Sequence, residues 1–172
     1  MGLDIYFKRV NKIDFQFAKK KDTQDVYDEL EIEDMGYFRK VNCLLPFFGY
    51  EDDCSIHPIE KSQIEDLVYT AKELLAIYGT FNAQLQLYKV DLESYKSDKK
   101  KTKLIQEKID NLWKPFETAA QEKLPTTTGF FFGSIEYRDY YISDLMDILE
   151  IFTNILNETD FDTEQVYMHC WW

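Results

Sequence analysis

An unbroken apolar stripe runs through the middle of this chain. Ile64, Leu67, Ala71, Leu74, Tyr78, Phe81, Leu85, Tyr88, Leu92 and Tyr95 follow one another at alternating intervals of three and four residues. That period gathers them on one narrow side of an α-helix, and only another packed element can cover such a side. The spacing predicts a helix over 63–97, roughly 50 Å long at 1.5 Å per residue. Ser62 and Glu65 have the spacing of a capping box at its start. Gly79 lies inside it, at a cost of about 1 kcal/mol relative to Ala, and marks a point for a bend or break. Ser97–Lys101 reads as a polar tip. Ile105, Ile109, Leu112, Phe116 and Ala119 then repeat the spacing on a returning helix over 102–123, with a kink expected at Pro115. Residues 63–123 therefore read as an antiparallel helical hairpin with a basic tip.

The flanks carry a different period. Leu3, Ile5 and Phe7 alternate with Asp4, Tyr6 and Lys8, and Gln165–Trp172 alternates in the same way, so a strand is expected at each end. A lone strand satisfies neither its backbone nor its apolar face, which places both in one sheet. A further strand is read near Phe15–Phe17. A short helix is read from Gly36 to Phe47, opened by Asp34, with Tyr37, Val41, Leu44, Leu45 and Phe48 on its apolar side and Gly49 ending it. Between Gly129 and Gly133 three phenylalanines read as a short buried strand. Asp139 or Ser143 opens the next helix, whose apolar side is Tyr140, Leu145, Ile148, Leu149, Phe152 and Ile155 through about Asn157. The expectation is a single α+β domain over residues 1–172: a small sheet containing both terminal strands, packed by helices, with a long antiparallel helical hairpin.

Charge narrows the partners. Lys and Arg number 20 against 32 Asp and Glu, a net charge of −12. A chain so acidic repels phosphate backbones, so non-specific nucleic-acid binding is not expected. The charge is uneven: Lys89–Lys123 has nine lysines and seven acids, net +2, and the remainder is net −14. No apolar run reaches the ~18 residues that span a bilayer, so no membrane partner is expected. The start lacks the pattern of a signal peptide, and Cys43, Cys54 and Cys170 are odd in number and scattered; both features suggest a cytoplasmic protein with reduced thiols.

Several stretches taken in order carry a resemblance: the opening MGLDIYF, GYFRKVN at 36–42, LPTTTGFFFGSIEY at 124–137, and the aromatic C-terminal strand. They resemble a family of small proteins from bacteriophages and related bacterial genomes. Its members start Met-Gly-Leu-Asp, carry Arg-Lys-x-Asn on a helix, and carry Leu-Pro-Thr followed by Gly-Phe-Phe-Phe-Gly. The matching positions here are Arg39, Lys40 and Asn42, then Leu124–Thr126 and Gly129–Gly133. Relatives have a His and a Trp after the Asn, where this chain has Leu45 and Phe47. The 80–118 part of the hairpin is longer than the family's usual connection and reads as an insertion. The family has no established activity, so the resemblance implies a phage or mobile-element setting and motif positions, not a mechanism.

Chemistry-bearing patterns are sparse. There is no P-loop or dinucleotide glycine fingerprint, so no cofactor is expected. His57 and His169 with three scattered cysteines fit no zinc spacing, and the Asp52–Asp53 and Asp160–Asp162 clusters do not follow a calcium loop. Cys54 and His57 are close in sequence but lack a third, orienting group. One constellation remains. Arg39, Lys40 and Asn42 sit on an otherwise apolar helix, and Thr126, Thr127, Thr128 and Ser134 flank the glycine-bracketed aromatics. A guanidinium fork, an ammonium, hydroxyls and freed backbone N–H groups suit an anionic small ligand or nucleotide. The other use of Arg39 is architectural, an ion pair with Asp4 or Glu136. These residues point first to a small binding protein and last to an enzyme of unknown reaction, since no set of acid, base and nucleophile emerges. The alternative is a protein–protein interaction module that acts on a host protein through its acidic surface or hairpin, with a homodimer through the hairpin stripe as a further possibility.

Overall fold

A computed structural model describes residues 2–21, 31–50, 56–129 and 132–172. The described elements are β1 (Asp4–Asn11), α1 (Lys12–Lys21), β2 (Glu33–Arg39), α2 (Leu44–Phe48), β3 (Ile56–Ile59), α3 (Lys61–Ser94), α4 (Lys99–Lys123), α5 (Asp139–Glu158) and β4 (Glu164–Trp171). Cys54, Asp52, Asp53, Phe130 and Phe131 lie outside the described residues.

The fold is α+β, as the two periods require. The strands form one antiparallel sheet in the order β2-β1-β4-β3. The terminal strands pair along their whole length, from Asp4 opposite Trp171 to Asn11 opposite Glu164. Ile5 and Phe7 of β1 and Val166, Met168 and Cys170 of β4 are fully buried on the inner face. There α5 lies across the sheet: the Phe152 ring meets Phe7 edge-on at 4.7 Å and stacks on Phe38 at 5.7 Å. On the opposite face α1 covers Val10 and Tyr167 with Phe15.

The hairpin is present, and its seam is aromatic. Trp113 stacks on Tyr78 at 5.8 Å and meets Phe81 at 5.4 Å and Phe116 at 5.7 Å. On α4 the buried positions are Ile105, Ile109, Trp113, Phe116 and Ala120, so the seam passes through Trp113 and Ala120 rather than Leu112 and Ala119. The widest ring takes the inward position, and Leu112 and Ala119 pack beside it, half-buried. Both helices run through their weak points, Gly79 and Pro115, without a break. The Asp98 carboxylate starts α4 by accepting from the Lys100 and Lys101 N–H groups at 3.1 Å. No helix among the described residues is long and apolar enough to cross a membrane.

Three expectations are corrected. Phe15–Phe17 belong to α1, not to a strand. Asn11 Oδ1 accepts from the Ile13 N–H at 2.9 Å and turns the chain into a helix that buries Phe15. Residues 36–47 are not one helix: Glu33–Arg39 is β2, and helix begins only at Leu44. The apparent helical spacing of Tyr37, Val41 and Leu44 combines residues from a strand, a turn and a helix. Asp34 is accordingly no cap; it pairs with Lys8 of the neighbouring strand at 3.3 Å. The capping box of α3 is set by Glu60 and Gln63, whose side chain accepts from the Glu60 N–H at 2.9 Å, while Glu65 pairs with Lys61 at 3.7 Å. Gly49 does end α2, with φ +67.

Gly36 sits where β2 comes closest to α5: a Cβ there would lie 2.5 Å from Cγ2 of Ile151. Gly36→Ala is expected to lower stability by about 1–3 kcal/mol through overpacking. Equilibrium urea unfolding measures this, and an unchanged midpoint would show that the two elements have room to separate.

Candidate functional site

The site begins where β2 ends. Lys40 takes a left-handed conformation, φ +64, that only a fixed turn imposes on a side-chain-bearing residue, and its N–H donates to the Leu3 carbonyl at 2.8 Å. The turn leaves Arg39 and Lys40 exposed at a rim and carries Asn42 inward, where 2% of its surface remains accessible. A buried amide must find partners. Asn42 donates through Nδ2 to the Phe132 carbonyl at 3.1 Å and the Ser134 carbonyl at 3.0 Å, and its Oδ1 accepts from the Thr127 N–H at 3.2 Å. One side chain therefore clamps both arms of the loop between α4 and α5.

The loop is built to receive that clamp. Gly133 has φ +95, and a Cβ there would lie 2.9 Å from the Lys40 Cβ and 3.2 Å from its carbonyl oxygen. Only glycine lets the loop approach the turn so closely. Thr126 joins the arms again, its hydroxyl donating to the Ile135 carbonyl at 3.1 Å and its N–H to the Tyr137 hydroxyl at 3.1 Å. Tyr141 of α5 donates to the Leu124 carbonyl at 2.7 Å and anchors the base.

Between turn, loop and α5 lies a cleft of about 350 Å³. Of the residues that line it, Arg39, Lys40, Ser134, Glu136 and Tyr140 are exposed, Thr126 and Asp144 are half-buried, and Asn42, Cys43 and Tyr141 are buried. Burial, with the nearby Asp147 charge second, pushes the Asp144 carboxyl up to about 6. Burial raises the Cys43 thiol far above its ordinary range, with the Asp144 charge adding to the effect, so Cys43 stays protonated and is no nucleophile. The Tyr141 phenol is raised by burial as well and remains neutral.

Five of the seven sequence-derived residues meet in this cleft: Arg39, Lys40, Asn42, Thr126 and Ser134. Thr127 contributes its N–H to the Asn42 clamp and otherwise lines a separate cleft with Leu45, Tyr50, Phe132 and Trp172. Thr128 is exposed and lines neither. The Arg-Lys-x-Asn residues lie on a strand end and a turn rather than on a helix, because Lys40 leaves right-handed space. Arg39 approaches Asp4 at 3.9 Å but is 61% exposed, so the architectural pair is a weak surface contact within the sheet. Sequence reasoning missed Cys43, Tyr140, Tyr141 and Asp144, and offered Glu136 only as an ion-pair partner for Arg39. A signal existed for Asp144: it follows Tyr141 by three residues and precedes Ile148 by four, and so interrupts the apolar face of α5. His57 lies on β3, outside the cleft, and no metal-ligating cluster of three or more acids, histidines or cysteines occurs among the described residues.

No protein-family model, curated protein or solved structure matches this chain.

Asn42→Ala leaves two carbonyls and an N–H without partners and is expected to cost about 1–3 kcal/mol. It should also speed protease cleavage between Pro125 and Glu136; unchanged cleavage would mean that the loop holds without the clamp. Asp144 yields a pH signature. Below about pH 4 it is protonated both folded and unfolded. Between about pH 4 and 6 the folded chain retains a proton that the unfolded chain has released, so stability falls as pH rises through that window. Asp144→Asn should stabilise the protein at pH 7.5 by about 1–2 kcal/mol, after allowance for solvent screening, and give no gain at pH 4. Urea unfolding at the two pH values checks this.

Proposed function

We propose that the protein is a small-molecule-binding module that takes an anionic ligand of mononucleotide size, and that it works in the cytoplasm in a phage or mobile-element setting. The observation that carries the binding reading is the placement of two exposed cations, Arg39 and Lys40, at the rim of a cleft whose interior holds a half-buried carboxyl and a buried tyrosine. Arg39 supplies a planar two-point donor for a phosphate or carboxylate, and Lys40 adds a point charge. Inside, Asp144 accepts hydrogen bonds from a ring amine or amide, and Tyr140, 81% exposed, offers a face for stacking. Such a ligand is anionic at one end and hydrogen-bond-donating at the other, as a nucleoside monophosphate is. Binding is favoured over catalysis because Cys43 is held protonated and no histidine lines the cleft. The phage setting rests on the motif resemblance alone.

Thermal shift and calorimetry with sulfate, inorganic phosphate and nucleoside 5′-monophosphates test the reading. A ligand that binds only the folded state must raise the melting temperature. The monophosphates should raise it most, and Arg39→Ala should abolish the shift while changing ligand-free stability by less than about 0.5 kcal/mol, as befits an exposed pair. No shift with any anion sinks the proposal. Sulfate, which keeps its charge, should bind more tightly as pH falls through about 6, because Asp144 then loses its own negative charge. A flat profile would place the anion away from Asp144.

A further inference from the structure

The hairpin has a second face that none of the described residues covers. The buried side of α3 carries Leu74, Phe81 and Leu85, and the opposite side carries Ala76, Thr80, Ala83, Leu87 and Val90, at intervals of four, three, four and three. All five are exposed, Leu87 at 66% and Val90 at 64%, and Tyr69, at 63%, continues the row one heptad earlier. A coiled-coil period on a solvent face is not required by the fold, since the first stripe already packs α3 against its neighbours. Contiguous apolar exposure of this kind marks a contact surface.

The middle of the row pairs with itself when reversed. Turned end to end about a point between Phe81 and Asn82, Ala76 falls opposite Leu87, a small side chain against a large one, Thr80 falls opposite Ala83, and Val90 falls opposite Glu73. The same operation sets Lys72 opposite Asp91, twice by symmetry. It also brings the tip, with Lys96, Lys99, Lys100 and Lys101, alongside the other end of α3, with Glu60, Glu65 and Asp66. The 89–123 segment is net +2 and the rest of the chain −14, so an end-to-end arrangement sets the basic part of one copy against the acidic part of the other.

We propose that a second copy of this chain docks antiparallel on the Ala76–Val90 face of α3, with Lys72 of each copy paired to Asp91 of the other. The seam stripe is spent inside the molecule, so the contact uses the outer face. The row from Tyr69 to Val90 is roughly 30 Å long and one helix wide. Its flat projection is about 300 Å², well short of the ~800 Å² per partner of a standard interface. The dimer is therefore weak, concentration-dependent and sensitive to salt. This inference is independent of the cleft.

Sedimentation equilibrium of the full chain at low salt tests it. The mass should rise from 20.6 kDa toward twice that value with concentration, and fall back on addition of salt. Leu87→Glu should abolish the rise with helicity by circular dichroism unchanged, as its exposed position allows. Lys72→Asp and Asp91→Lys should each weaken the dimer by about fivefold, and the double variant should restore it, because the exchanged charges again meet across the two-fold. A single-chain mass up to about 1 mM overturns the proposal and leaves the face to a different protein. So does a dimer that survives Leu87→Glu, or a double variant no tighter than the single ones.

Discussion

The side-chain amide of Asn42 holds together two parts of the chain that would otherwise have no reason to meet. It is buried, so its donors and acceptor must be matched inside the protein. Two loop carbonyls and one loop N–H do this. Each bond contributes only about 1 kcal/mol net, but leaving several buried groups unmatched costs more than the bonds return. Gly133 completes the arrangement by having no Cβ where Lys40 must pass. The cleft is the space left between the turn and the loop once that contact is made.

The sheet and α5 give the clamp something rigid to act against. Phe7, Phe38 and Phe152 interlock at ring distances of 4.7 to 5.8 Å and fix α5 on the inner face. Tyr141 ties the start of α5 to the end of α4 through the Leu124 carbonyl. Asp144 lies one turn further on, half-buried, and burial with the nearby Asp147 charge second raises its carboxyl. A fold gains nothing in stability from such a group, whereas a binding cleft gains a hydrogen-bonding carboxyl whose charge changes near neutral pH.

The hairpin shows how far periodicity reaches. The stripe is buried from Ile64 to Leu85 apart from half-buried Tyr78, because a long helix with one apolar side has one way to hide it; further on, Tyr88 and Leu92 are half-buried and Tyr95 is exposed. On α4 the period was right and the phase slightly off, since Trp113 is too large to remain at the margin. The same reasoning failed between Gly36 and Phe48. There strand, turn and helix follow within thirteen residues, and apolar positions from all three mimic one helical face. Period is informative only over stretches longer than the elements it is meant to identify.

The meeting of Arg39, Asn42, Thr126 and Ser134 was legible for a reason that needs no fold: a polar residue within an apolar segment requires partners, and a hydroxyl-rich, glycine-bracketed loop supplies them. The two terminal strands were legible likewise, because neither can satisfy its backbone alone. Local sequence thus determined which groups had to be satisfied and which faces had to be covered. It did not determine how. That Asn42 takes main-chain groups rather than the Thr126 hydroxyl, that Thr128 stays outside, and that Asp144 completes the cleft follow from where the sheet, α5 and the loop come to rest. Those positions come from packing contacts between residues scores of positions apart, which no local pattern encodes.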